Sequence, residues 1–177
     1  MHERVSHLDT VGTVVRALAD LGFEPILVGG MALVLLGSRR VTRDFDFVVA
    51  RPGERLQSLV DVFYDHGFEL AARLEEGQVT ATIDNRRVAA VRLRLDAPDS
   101  AWFYNRKTDL RIDLLFDFPI PAATLAEHAR GRKIRGWVLR VASEPDLLRL
   151  KTIAAGRRSA PGDAEDIAFL EARRSRA

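Results

Sequence analysis

The chain has 177 residues, of which 47% are hydrophobic, 29% are charged and none is cysteine. This length suits one compact domain, or one domain with a small helical addition. The absence of cysteine excludes disulfides, thiolate-ligated zinc and cysteine nucleophiles. No apolar run approaches the ~20 residues that cross a bilayer, so we expect a soluble, cytoplasmic protein with no membrane partner. The formal charge of +2 does not by itself indicate a nucleic-acid binder, but the abundant arginine permits phosphate-bearing partners.

The first half of the sequence alternates between helical and strand patterns. Apolar residues recur at helical spacing over residues 5–21 and predict an amphipathic helix that Gly22 ends. Residues 26–28 predict a short buried strand that ends at Gly29-Gly30, and residues 31–36 predict a short apolar helix. A basic loop over 38–43, a strand over 44–50 and a helix over 56–63 complete this half.

The second half is predicted less fully. Strands are predicted over 68–74, 88–95, 110–118 and 133–141, with a short helix over 124–130 and no assignment for 75–86. Ser143 is typical of a helix cap, and Pro161 begins a last helix. The basic cluster Arg173, Arg174 and Arg176 is typical of a frayed terminus. We therefore predict an α+β (mixed α/β) fold, with a mixed sheet flanked by helices as the core (1–142). A C-terminal helical segment (143–177) packs on this core in a single compact unit.

Two glycines and two aspartates stand close together in segment 26–49. A strand that ends in Gly29-Gly30 and enters a helix can expose backbone N–H groups to a phosphate, although a glycine pair alone is weak evidence. On the next strand, alternation places Asp44 and Asp46 on one face and the intervening phenylalanines on the other. Adjacent carboxylates repel each other unless a cation such as Mg²⁺ lies between them. The alternative is a solvated edge strand whose acids pair with nearby arginines.

A third acid interrupts the apolar strand predicted over 110–118. Burial of the Asp113 carboxylate in such a strand costs free energy unless the carboxylate is paired with a cation or binds a metal. If this strand neighbours the one over 44–50, Asp113 lies beside Asp44 and Asp46, and three carboxylates surround a metal site. Asp117 competes as the third acid, although its position at the strand end favours a structural or capping role.

Two stretches of the chain carry a pattern of motifs that can be compared with known families. The first contains Val28-Gly29-Gly30-Met31-Ala32 and Arg40-x-Thr42-x-Asp44-x-Asp46, and the later strand acid is Asp113. The second contains Asp146-Leu147-Leu148, Lys151, Arg157, Asp163, Asp166 and Ile167. Together they resemble the DNA polymerase β-like nucleotidyltransferase superfamily, and most closely its AbiEii/AbiGii-type toxins. The resemblance covers roughly 27–49 and 110–170. One departure is Gly162, where the family often has lysine, which leaves Lys151 and Arg157-Arg158 as the available cations.

The resemblance implies a metal-dependent enzyme that transfers a nucleoside monophosphate from a nucleoside triphosphate (NTP) to an acceptor hydroxyl and releases pyrophosphate. Asp44, Asp46 and Asp113 would hold two Mg²⁺ ions, for which Mn²⁺ could substitute, and Asp113 would help to deprotonate the hydroxyl. Gly29 and Gly30 would allow close backbone approach to phosphate. The other implied nucleotide-binding residues are Ser38 and Arg40 at the β- and γ-phosphates, Thr42 in the same loop, and Lys151 and Asp166 near the nucleotide.

The sequence allows more than one acceptor, and more than one role for several side chains. The resemblance implies an RNA acceptor, in particular a tRNA end, and a toxin that has a cognate antitoxin. The alternatives are an aminoglycoside-like small-molecule acceptor, or a catalytically degenerate nucleotide-binding module. Lys151 could instead extend along the surface, and Asp166 could cap a helix or pair with Arg157. The aromatic run 102–104 could stack a base, but such a run usually belongs to the core.

Overall fold

The computed structural model describes the backbone of residues 2–157 and 161–176, and the side chains of residues 7–157 and 162–176. The helices in this part of the chain are α1 (His2–Asp20), α2 (Gly29–Leu35), α3 (Leu56–Asp65), α4 (Arg86–Asp96), α5 (Ala122–Ala126), α6 (Glu144–Arg157) and α7 (Pro161–Arg176). The strands are β1 (Ile26–Val28), β2 (Phe45–Val49), β3 (Glu69–Glu75), β4 (Gln78–Ile83), β5 (Ser100–Asn105), β6 (Leu110–Phe116), β7 (Arg130–Ile134) and β8 (Trp137–Val141). The side chain of Val5, in the first predicted helix, and Arg158 lie outside the described residues.

The eight strands form one mixed sheet in the order β4-β3-β5-β6-β2-β1-β8-β7. Strand β2 pairs with β6 in parallel and with β1 antiparallel, while β1 pairs with β8 in parallel. The predicted mixed sheet with flanking helices is therefore confirmed. Because β2 and β6 are neighbours at the centre of the sheet, the two strands that carry the predicted acids lie side by side.

One apolar core joins the sheet to its helices. Phe45 and Phe47 of β2 are 5% and 1% exposed, so the predicted inward orientation of both rings is confirmed. On β5, Phe103 is fully buried and stacks on Phe63 of α3, with ring centroids 4.0 Å apart. Its neighbour Trp102 is 38% exposed, because successive residues of a strand point to opposite faces. The core interpretation of the aromatic run is thus right for Phe103 but not for Trp102.

The strand predicted over 88–95 is wrong, because these residues lie within helix α4. Asn85 caps this helix, and its side-chain oxygen accepts hydrogen bonds from the backbone N–H groups of Arg87 and Val88. The buried residues Ala89, Ala90 and Leu93 have helical spacing. Arg92 and Arg94 are exposed on the outer side of the helix.

The single strand predicted over 133–141 is also wrong, because the chain reverses there. Strands β7 and β8 pair antiparallel, with Ile134 opposite Trp137. Arg135 and Gly136 form the intervening turn with φ values of +50° and +87°. This left-handed conformation favours glycine at the second position, which makes a two-residue hairpin turn.

The two C-terminal helices follow the sequence prediction. Ser143 caps α6, and its hydroxyl accepts a hydrogen bond from the backbone N–H of Asp146. The frayed terminus predicted at Arg173 is wrong, because its guanidinium lies 2.7 Å from Glu144 of α6 and donates to the carbonyl of Leu36. Leu147 of α6 and Leu170 of α7 are buried in the core, so both helices pack against it. No helix within the described residues is long and apolar enough to cross a membrane.

Candidate active site

The parallel pairing of β2 and β6 brings the predicted acids together. Asp46 lies directly opposite Asp113, and Asp44 precedes the first residue of β2 on the same face as Asp46. Asp113 is 6% exposed, whereas Asp46 is partly buried. The sequence-based condition that the two strands be neighbours is therefore met, and the three carboxylates share one face of the sheet at its two central strands.

Gly29 allows the turn after β1 to approach Asp46 closely. Its φ of +70° is a left-handed conformation that other residues rarely adopt. A Cβ atom at Gly29 would lie 2.2 Å from the Asp46 Oδ2 atom. No side chain fits between the turn and the carboxylate, so glycine is required here for both conformation and space.

Burial strongly affects the ionisation of the central pair. Burial, followed by the charge of Asp46, raises the pKa of Asp113 to about 8, while the charge of Arg111 opposes the rise. Burial also raises the pKa of Asp46, while its interaction with Asp113 and the positive charges of Arg111 and Lys151 oppose that rise. The two acids therefore hold their protons more tightly than isolated aspartic acids do.

The carboxylates have the chemistry of a site for a divalent cation. Carboxylate oxygens are the ligands that Mg²⁺ prefers, and the buried Oδ1 atom of Asp113 is in an ion pair with Arg111 but accepts no well-aligned hydrogen bond. The guanidinium of Arg111 contacts both Asp44 and Asp113. Among residues 7–157 and 162–176, no three acidic, histidine or cysteine side chains are already arranged around one metal position. The carboxylate oxygens of this site fit a divalent cation when Arg111 no longer contacts Asp44 and Asp113.

Ser38, Arg40 and Thr42 lie together in the loop between α2 and β2. The backbone N–H of Arg40 donates to the Ser38 hydroxyl, and all three residues line a cavity of about 580 Å³. The side chain of Arg40 crosses Gly30, where a Cβ atom would lie 2.9 Å from the Arg40 Nε atom. The 38–43 loop and the turn after β1 are therefore in close contact, which the absence of a side chain at Gly30 permits.

An ionic cluster of buried Lys151, Asp163 and Asp166 with the more exposed Arg40 joins this loop to the C-terminal helices. Asp166 of α7 pairs with Arg40, and it lies 2.9 Å from the Nζ atom of Lys151 on α6. Asp163 lies 3.7 Å from the same Nζ atom. Lys151 is 8% exposed, so it does not extend along the surface, and Asp166 pairs with Arg40 and Lys151 instead of Arg157. The charge of Lys151 acts on Asp46, which connects the cluster to the carboxylates.

Sequence reasoning missed or left open two members of this site. Arg111 is not among the predicted site residues, although the spacing Arg-x-Asp beside Asp-x-Asp on a neighbouring strand predicts their contact. Asp163 was left uncertain because a helix position alone does not identify its partner. Asp117 is not part of the cluster, because its carboxylate accepts hydrogen bonds from the backbone N–H groups of Arg51 and Ala122.

Comparison with protein families gives one match that spans most of the chain. The family described as "Nucleotidyl transferase AbiEii toxin, Type IV TA system" matches residues 15–175. A comparison with curated protein sequences finds no match. The family match includes every predicted site residue, from Gly29 to Asp166.

Several solved structures share the fold at low sequence identity. The antibiotic-resistance factor ANT(2″)-Ia is 14% identical, with a TM-score of 0.60 over 94% of this chain and 83% of that chain. The lincosamide antibiotic adenylyltransferase LnuA, solved with lincomycin, is 11% identical, with a TM-score of 0.57 over 92% of this chain and 95% of that chain. An antigenic nucleotidyltransferase-like protein from Paracoccidioides brasiliensis is 18% identical, with a TM-score of 0.56 over 92% of this chain and 75% of that chain.

Replacement of Asp113 by asparagine is expected to stabilise the metal-free protein at high pH. Because its folded-state pKa is about 8, against an ordinary value of 3.8, the native state keeps a proton that the unfolded chain releases. This contribution to stability is present at low pH and is lost as the pH rises from about 4 to about 8. In EDTA, the free energy of unfolding of Asp113→Asn, measured by urea denaturation, should therefore exceed that of wild type by ~1–2 kcal/mol at pH 9 and by less at pH 5. Parallel pH curves for wild type and Asp113→Asn would contradict the prediction.

Replacement of Asp166 by asparagine is expected to destabilise the fold, because it removes the shared partner of Arg40 and the buried Lys151. We expect the free energy of unfolding to fall by ~3 kcal/mol in urea denaturation. Glu165→Gln, an exposed neighbour on the same helix, should change it by less than ~0.5 kcal/mol. Equal stability of the two variants would show that the ionic cluster does not hold α7 in place.

Proposed function

The chain belongs to the AbiEii nucleotidyltransferase toxin family of type IV toxin–antitoxin systems, and from this premise we propose a reaction and a substrate class. The protein is a nucleotidyltransferase. We propose that it moves a nucleoside monophosphate from an NTP to a hydroxyl of an RNA, in particular a tRNA end. The observation that carries the catalytic part is the register in which Asp46 opposes Asp113, beside the Gly29 turn.

The proposed chemistry assigns the three carboxylates to divalent cations. Asp44, Asp46 and Asp113 would hold Mg²⁺ or Mn²⁺, which would supply charge stabilisation for the attacking and leaving oxygens. Asp113 would act as the base that receives the proton of the acceptor hydroxyl, once bound cations have displaced its own proton. Its place opposite Asp46 would bring that base to the same point as the reacting phosphate.

The nucleotide would lie between the glycine turn and the ionic cluster. Gly29 and Gly30 leave the backbone uncovered where Asp46 and Arg40 approach it. Arg40 and Lys151 supply positive charge for the triphosphate, and Asp166 holds both of them in position. Ser38 and Thr42 provide hydroxyl groups beside Arg40 in the same loop. Helices α6 and α7 thus contribute to nucleotide binding in this proposal.

The RNA acceptor is supported by an exposed group of basic residues, here called the basic edge. Strand β7 forms one edge of the sheet, and its turn lines the same cavity as the 38–43 loop. None of the members of the basic edge forms an ion pair within the described residues, and all are exposed. They are Arg39, Arg130, Arg132, Lys133 and Arg135. Unpaired arginine and lysine side chains along one edge suit the phosphate backbone of a nucleic acid.

A small-molecule acceptor is the second candidate. The solved structures that share this fold include the resistance factor ANT(2″)-Ia and the lincosamide adenylyltransferase. A polar cavity of about 430 Å³ lies against Asp44 and is also lined by Asp109. These two acids could bind a cationic antibiotic, but Arg43 and Arg111 line the same cavity and oppose such a ligand. The balance of charge therefore favours the RNA acceptor.

A partner and a compartment complete the proposal. The family is a toxin family of type IV systems, so we propose a cognate antitoxin for this chain. We further propose that it acts in the cytoplasm, where NTPs and RNA are both present. A reading frame beside its gene that relieves growth arrest upon co-expression would support the toxin role.

Replacement of Asp46 by alanine is expected to abolish transfer. Wild-type protein would be incubated with Mg²⁺, each α-³²P-labelled NTP in turn, and total RNA, purified tRNA, protein or antibiotics as acceptors. Asp46→Ala should lower incorporation by ~1000-fold or more, because the site loses its central carboxylate. Asp117→Asn is the matched control, since this acid caps backbone N–H groups outside the cluster, and it should retain activity. Unchanged labelling by Asp46→Ala would rule out the assignment.

Neutralising the basic edge is expected to weaken labelling of RNA selectively. Arg132→Gln combined with Lys133→Gln should lower RNA labelling ~10-fold at physiological salt and reduce its salt dependence, since two phosphate contacts are lost. NTP binding should not change. The control is Arg87→Gln combined with Arg94→Gln, which removes the same charge from the exposed side of α4, near the opposite edge of the sheet. Equal effects of the two double variants would contradict the assigned surface.

A further inference from the structure

Arg111 makes an unusual set of contacts for an arginine on a central strand. Its NH2 atom lies 3.0 Å from the Asp44 Oδ2 atom and 3.1 Å from the Asp113 Oδ2 atom. Its Nε atom lies 2.9 Å from the Asp113 Oδ1 atom. One guanidinium thus faces both oxygens of the buried acid and also contacts a carboxylate on the neighbouring strand.

The strand register explains why these groups meet. Arg111 and Asp113 are two residues apart on β6 and share a face, while Asp46 is opposite Asp113 in the parallel pairing with β2. The position opposite Arg111 is therefore that of Asp44, one residue before the start of β2. An ordinary surface ion pair would join two flexible side chains. Here the side chain of Arg111 is only 20% exposed and that of Asp113 is 8% exposed.

We propose that Arg111 is the internal counter-ion of the metal site and competes directly with the divalent cation for Asp44 and Asp113. The inference rests on the proposed metal-binding role of these carboxylates. A cation and the guanidinium need the same oxygen atoms, and two positive groups at that distance repel each other. A cation that binds must therefore displace Arg111, while the arginine keeps the carboxylates compensated in the metal-free protein.

The structure offers a place for the displaced side chain. The Arg111 NH1 atom already donates to the carbonyl of Gly77, at the tip of the β3–β4 hairpin, over 3.3 Å. Its Cζ atom lies 5.8 Å from the ring centroid of Trp102, and Tyr104 is opposite Arg111 on β5. The polar cavity beside Asp44 is lined by Gly77, Tyr104 and Arg111. A rotation away from the carboxylates would leave the guanidinium in contact with this cavity.

The first test measures the binding of Mn²⁺ to the nucleotide-free protein by electron paramagnetic resonance. Arg111→Gln should bind Mn²⁺ ~10-fold more tightly than wild type, because the competitor is removed. Arg43→Gln is the matched control, since this exposed arginine lines the same cavity but contacts Asp109. Its Mn²⁺ affinity should equal that of wild type. Unchanged or weaker binding by Arg111→Gln, or an equal gain in both variants, would overturn the proposal.

Arg111→Lys separates displacement from simple charge repulsion. Lysine keeps the charge but cannot place two nitrogen atoms on the two carboxylates as the planar guanidinium does. Competition by direct contact predicts Mn²⁺ affinity between those of wild type and Arg111→Gln. An affinity equal to that of wild type would show that charge at a distance explains the effect, and would overturn the displacement.

Trp102 gives a second readout that does not depend on activity. The chain has two tryptophans, so a Trp137→Phe background leaves Trp102 as the single emitter. Addition of Mg²⁺ should change the Trp102 emission with a midpoint equal to the metal Kd, because the guanidinium moves relative to the ring. Arg111→Gln in the same background should bind Mg²⁺ without this change. Binding of Mg²⁺ to wild type with no change in emission would overturn the movement of Arg111.

These measurements can be interpreted whether or not transfer to RNA is detected. Failure of the transfer assay with intact Mn²⁺ competition would contradict the proposed acceptor and leave the role of Arg111 supported. Conversely, transfer by the wild type without any Mn²⁺ binding to the free protein or to Arg111→Gln would overturn the role of Arg111 alone.

Discussion

The parallel pairing of β2 with β6 is the contact on which the rest of the site depends. It places Asp46 against Asp113 in the middle of an eight-stranded sheet, with apolar residues on both sides of each acid along its strand. Such a pair is unfavourable in a protein interior, because each carboxylate loses water and faces a like charge. Burial is the main cause of the raised pKa of both acids; a neighbouring negative charge adds to it, from Asp46 for Asp113 and from Asp44 for Asp46. A fold that keeps this pair needs positive charge nearby.

Two sources of positive charge surround the carboxylates in the described structure. Arg111 comes from the same strand as Asp113 and contacts Asp44 and Asp113 directly. Lys151 comes from α6 and acts on Asp46, while its own charge is balanced by Asp163 and Asp166. The second source requires the C-terminal helices to pack on the sheet. Stability of the acidic pair and attachment of these helices are therefore linked by the same charges.

The ionic cluster also connects parts of the chain that are far apart in sequence. Arg40 lies in the loop between α2 and β2, and its partner Asp166 lies in the last helix. Arg173 adds a second link, since it contacts both Glu144 and the carbonyl of Leu36, the residue that follows α2. The loop that carries Ser38 and Thr42 is held from both sides by these contacts. A nucleotide that competes for Arg40 would be expected to affect the packing of α7.

The sequence by itself determined the periodic elements and the identity of the acids. Alternation on β2 predicted which face carries Asp44 and Asp46, and the cost of an acid in an apolar strand singled out Asp113. Where the local pattern was ambiguous, prediction failed. Residues 88–95 were predicted as a strand, but an Asn85 cap and burial of one helical face produce α4. The hairpin of β7 and β8 was missed because its two-residue turn interrupts a pattern that reads as a single strand. Only the tertiary structure decided that β2 and β6 are neighbours, that Arg111 contacts two carboxylates, and that Asp166 pairs with Arg40 and Lys151. Such contacts depend on strand order and helix packing, which join distant residues, such as Arg40 and Asp166 at 126 positions apart, and leave no periodic signal in the chain.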